Sequence, residues 1–184
     1  MTLLILGLLL WTLAHFFRRL APQARSRLGN AGKGAVAGAI VLALLLMIFG
    51  YRWAEFIPVW TPPAFLVHVN NLLMVVALWV YGSSAAKGAK AWPAYKTRHP
   101  QLLGFKIWAF AHLLVNGDLA SIVLFGGLLA WAVAEVIVIN RTEPDWTPPQ
   151  PAGARTYVRL AIITVVLLVL ITSVHYALGV SPFA

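Results

Sequence analysis

The residues of this chain best equipped for chemistry are its histidines: His15, His68, His99, His112 and His175. There is no cysteine and there are only five carboxylates in 184 residues. Disulfides, thiolate nucleophiles, iron–sulfur clusters and Cys-ligated zinc are therefore excluded by inventory. Gly104, Trp108, His112 and Asn116 are spaced four apart, which sets them on one helical stripe. A glycine in such a stripe lets a second backbone or a flat ligand come close. Two neutral imidazoles facing each other inside an apolar bundle are a suitable axial ligand pair for haem. Zinc would need three or four ligands, and the carboxylates are too few and scattered to complete such a set.

The elements that must hold these side chains are membrane helices. The chain is 61% hydrophobic and 10% charged with a mean hydropathy of +0.83, far from the composition of soluble domains. Six apolar segments, at 1–17, 34–51, 63–82, 102–117, 119–140 and 157–180, each approach the length needed to cross a bilayer. The fold class expected is an all-α polytopic membrane helix bundle of about six transmembrane helices, with residues 1–184 forming a single transmembrane domain. The first run lacks the basic leader of a secretory signal and reads as a retained helix.

Loop charges predict an orientation. Arg18, Arg19, Arg25, Arg27 and Lys33 fall in or beside the first loop, and Lys87, Lys90, Lys96, Arg98 and Lys106 around the third. Arg141, Arg155 and Arg159 flank the fifth, leaving Arg52 alone on the other side. The positive-inside rule then puts both termini on the outer, periplasmic face. The net charge of +9 is explained by this orientation and by anionic lipid, so membrane lipid is an expected partner and nucleic acid is not.

Other polar residues fall within or beside the spans. Asn70 and Asn71 are expected to hydrogen-bond between helices. Glu135 is expected to snorkel or to pair with Arg141. Asn116-Gly117-Asp118 reads as a tight turn through residues that accept positive φ, with Asp118 capping the next helix. Counting rise from the outer surface, His68, His112 and His175 lie at similar depths, roughly 8–9 Å below it, while His15 falls nearer the inner surface. Depth thus favours His68 or His175 as a second ligand beside His112.

The segment "RHPQLLGFKIWAFAHLLVNGDLASIVLFG", with the earlier "LAHFFRRLAP" and "RLGNAGKG", resembles the NnrU family of bacterial integral membrane proteins, a relative of 15-cis-zeta-carotene isomerase. The resemblance implies a bacterial inner-membrane protein with a role linked to nitrite and nitric oxide reduction, that is, to denitrification. Through the isomerase it also implies haem b held by His112 and His15. Arg98, His99 and Lys106 would then form a cationic rim for haem propionates or lipid phosphate, with Gly104, Trp108 and Asn116 completing the cofactor site. The isomerase has a redox-switchable cysteine where this chain has Ala109, so that ligand switch is absent.

The resemblance leaves the activity open between redox chemistry, sensing and an isomerase-like reaction. Its partners would be nitric oxide or a lipophilic polyene, and a respiratory reductase. Two other classes compete. "RHP" at a membrane boundary is also similar to isoprenylcysteine carboxyl methyltransferases, implying S-adenosylmethionine. The third is a non-enzymatic assembly factor for a respiratory complex.

Overall fold

A computed structural model describes residues 1–183. Seven helices are present: α1 (Thr2–Leu20), α2 (Pro22–Arg27), α3 (Ala31–Arg52), α4 (Leu66–Gly82), α5 (Pro100–Val115), α6 (Leu119–Thr142) and α7 (Ala154–Ala177), and no strand occurs among the described residues. The protein is a helical, multi-pass membrane protein. Six of the helices fall on the six apolar segments of the sequence. Helices α1, α3, α6 and α7 are long and apolar enough to cross a membrane, whereas α4 and α5 have 17 and 16 residues. The seventh, α2, is a short basic helix in the first loop that opens with a proline at its first turn, where the missing N–H would have no helical partner. Proline also explains the lack of helix at 58–63 and 144–151, since each ring removes a donor and blocks the preceding turn.

The described residues form two compact units. The first comprises Met1–Thr61 and Asn116–Pro144, the second Pro62–Val115 and Asp145–Ala184. In the first unit α1 is central, packing against α3 and α6. The α1–α3 approach is backbone to backbone: a Cβ at Gly7 would lie 2.8 Å from the Met47 nitrogen, and one at Gly50 would lie 2.8 Å from the Leu4 Cα. In a bilayer, where lipid is as apolar as leucine, such close packing between small residues holds helices together.

In the second unit α4 is central, packing against α5 and α7. Gly104 makes the α4–α5 contact, since a Cβ there would meet the Ala77 carbonyl oxygen at 2.7 Å. Gly82 lies against the Leu160 side chain of α7, whose Cδ1 would be 2.8 Å from a Cβ there. Those two contacts set an antiparallel register. Eight residues on from Gly104, His112 comes level with the start of α4, and the far end of α7 arrives there too.

The turn into α6 departs from expectation in one respect. Asp118 caps α6, its carboxylate accepting from the Ser121 N–H at 2.9 Å. Gly117, however, is not at positive φ. The chain is turned instead by pairing with the preceding loop, where the Gly117 carbonyl accepts from the N–H groups of Val59 and Trp60 at 2.8 and 3.1 Å.

Candidate functional site: an apolar cavity carrying two histidines

In the second unit α4, α5, α7 and the turn after α7 enclose a cavity of about 590 Å³, a size usual for small-molecule and cofactor pockets. Most of its wall is aliphatic or aromatic, including Met74, Leu78, Tyr81, Phe105, Leu167 and Leu168. Its polar groups are Asn70 and Asn71 from α4, His112 from α5, and Thr172 and His175 from α7. The antiparallel register gathers these at one end, so the cavity has a polar pole and an apolar barrel.

Both histidines are held in the same way. His112 Nδ1 lies 3.0 Å from the Trp108 carbonyl oxygen and His175 Nδ1 lies 2.8 Å from that of Ile171, each one turn back on its own helix. A carbonyl only accepts, so in the neutral ring Nδ1 carries the proton and Nε2 carries the lone pair. That is how proteins usually prepare a histidine for a metal, with a fixed partner on the other nitrogen setting tautomer and orientation. His112 also continues an aromatic ladder on α5, with ring centroids 5.0 Å apart for Phe105–Trp108 and 5.1 Å for Trp108–His112.

Sequence-selected residues divide around this cavity. Gly104 and Trp108 line it beside His112, and His175 joins them. His68 is exposed and does not line it. Arg98 and His99 are half-buried at the start of α5, where the His99 carbonyl accepts the Leu103 N–H at 2.9 Å. Neither they nor Lys106 line the cavity. Asn116 lies just past the end of α5, in the first unit.

His15 also belongs to the first unit. Its Nδ1 lies 2.8 Å from the Trp11 carbonyl oxygen, and its ring packs 4.3 Å from Trp11 and 4.7 Å from Trp131, centroid to centroid. One turn further along α1, Arg19 Nη1 donates to Glu135 Oε1 at 2.8 Å, and Glu143 stands 3.5 Å from Arg19 Nε. This corrects the expected Arg141 partner: Arg141 is exposed at the end of α6, while Glu135 is buried on the face toward α1. Trp11, His15 and Arg19 thus form one stripe on α1 facing Trp131 and Glu135 on α6.

Sequence reasoning did not bring out Thr172 or the turn bearing Pro182 and Phe183 as parts of the cavity wall. The usable signal for the turn was Gly179, placed where a helix ends. Among the described residues no group of three or more His, Cys, Asp and Glu side chains gathers to hold a metal ion. A pair of histidines is nevertheless a donor set that can hold haem b, and the apolar walls suit its flat body.

The NnrU family model, described as "NnrU protein", matches residues 3–182, and the chain belongs to this family. No match was found among curated proteins or among solved structures.

Proposed function

We propose that this chain is a haem b-binding protein of the bacterial inner membrane, with His112 and His175 as iron ligands and a redox or sensing role linked to nitrite and nitric oxide reduction. One observation carries the reading: two membrane histidines line the same apolar cavity, and both have Nδ1 engaged by a backbone carbonyl so that Nε2 carries the lone pair. Membership of the NnrU family supports the link to nitrogen-oxide reduction. The cavity favours His175 over His68 as the partner of His112, because His68 is exposed and outside the wall. It favours His175 over His15 because His175 lines the cavity and His15 does not.

Haem b held there by His112 and His175 would supply one-electron redox chemistry. The chain's own residues do the rest. Trp108 and Ile171 carbonyls fix the imidazole tautomers, Phe105 and the leucines of α7 exclude water, and the basic loops orient the bundle with both termini outside.

The deciding experiment is an oxidised-versus-reduced visible absorption spectrum of detergent-purified protein expressed with haem supply, beside His112→Ala. A b-type spectrum lost in the variant is expected. Well-folded wild-type protein without haem would overturn the reading.

A further inference from the structure

The amide chain at the polar pole of the cavity has a readable direction. The Pro182 carbonyl can only accept, so it is Asn71 Nδ2 that lies 3.0 Å from it. Asn71 then turns Oδ1 toward Asn70, whose Nδ2 donates to it at 3.2 Å. The chain ends at Asn70 Oδ1, which is buried and has no hydrogen-bonding partner in the protein. Asn70 is 8% exposed and lines the cavity. A buried amide oxygen is costly unless a donor reaches it, and the space beside this residue is the cavity.

The other end of the chain holds a closing element. After α7, Gly179 at φ 78 turns the backbone so that the Val180 N–H returns to the His175 carbonyl at 2.9 Å and the Gly179 N–H to that of Tyr176 at 3.0 Å. This is a Schellman ending with glycine in its left-handed position. It brings Pro182 and Phe183 back over the cavity wall and joins them to the last turn of α7, which carries His175. The Asn71–Pro182 hydrogen bond fastens this turn to α4.

We propose that Asn70 and Asn71 form a ligand-operated latch. An occupant with an apolar body and an O–H or N–H group donates to Asn70 Oδ1, and the amide chain holds the Leu178–Phe183 turn closed over it. Hydrogen bonds in series polarise one another, so filling Asn70 strengthens the Asn71–Pro182 link. An amide oxygen can only accept, so Asn70 Oδ1 selects a donor-bearing head over a ketone or ether. The inference rests on the reading that this cavity holds a ligand, and it does not require that ligand to be haem.

Because the chain has no cysteine, a single Thr172→Cys in the cavity wall reports access to a water-soluble maleimide. The probes are 1-dodecanol and methyl dodecyl ether, which differ in the donor, added to protein in lipid nanodiscs. Dodecanol should slow labelling about tenfold, the scale of one hydrogen bond, and the ether should not. Asn70→Leu should erase the difference. Without probe, Asn71→Leu and, by an independent route, Gly179→Ala should each speed labelling about tenfold.

Equal protection by the two probes, protection by neither, or labelling rates that ignore both latch substitutions would overturn the proposal. Labelling is done on protein expressed without haem supply, since haem and probe would fill the same cavity. Haem content is measured in parallel on protein expressed with haem supply, which separates the two readings. Haem binding without probe discrimination overturns the latch alone, and discrimination without haem overturns only the haem assignment.

Discussion

The two units arrange their polar residues differently. In the first, polar side chains meet across packed helices: Arg19 with Glu135 between α1 and α6, and Tyr51 with Ser121 at 2.9 Å beside the Asp118 cap. The buried Trp11 Nε1 and Glu135 Oε2, which have no hydrogen-bond partner, do not line the cavity. His15 there is packed between two tryptophan rings. In the second, His112, His175 and Asn70 converge on a cavity, and Asn70 keeps an oxygen that nothing in the protein satisfies. Pairing across helices stabilises a bundle, whereas several polar side chains lining one end of a cavity prepare a site. A membrane histidine is therefore not by itself a functional sign; what its surroundings converge upon decides.

Substitutions can break or sharpen this contrast. The largest stability effect belongs to the first unit. Glu135→Ala takes the closer carboxylate from a guanidinium that is only 21% exposed, leaving it the exposed Glu143 alone, and should cost about 3 kcal/mol, read as a lowered unfolding midpoint in detergent, with ligand content unchanged. A wild-type midpoint would remove the structural role assigned to the pair. Next, Gly104→Ala forces a methyl against the α4 backbone and should cost about 2 kcal/mol. Unchanged stability there would mean that α4 and α5 are less tightly joined than Gly104 implies. Asp118→Ala removes the α6 cap and should cost about 1 kcal/mol. It should leave any cavity-bound chromophore untouched, and a lost chromophore would break the division between units. The smallest effect is that of His68→Ala, on an exposed residue outside the cavity, which should change neither midpoint nor spectrum.

Much of this was legible from local pattern. Apolar run lengths located six helices to within a few residues, and four-residue spacing put Gly104, Trp108 and His112 on one stripe. Counting rise along the spans brought His68, His112 and His175 to one depth, because helical rise is uniform, but depth does not say which way a side chain faces, and His68 is exposed outside the cavity. What escaped depended on partners distant in sequence. Arg19 and Glu135 are 116 residues apart, and no spacing rule joins them; the nearer Arg141 was the natural expectation. Asn71 and Pro182 are 111 apart, so the return of the last turn over the cavity was equally hidden. Gly117 misled for a related reason, since a pairing with Val59 and Trp60, rather than a left-handed residue, turns the chain.

The most direct measurement is the reduced-minus-oxidised absorption spectrum of His175→Ala beside His15→Ala, in protein expressed with haem supply. The cavity account predicts that the b-type signal is lost or shifted with His175 and kept with His15. A signal intact in His175→Ala and lost in His15→Ala would contradict it and move the second ligand out of this cavity.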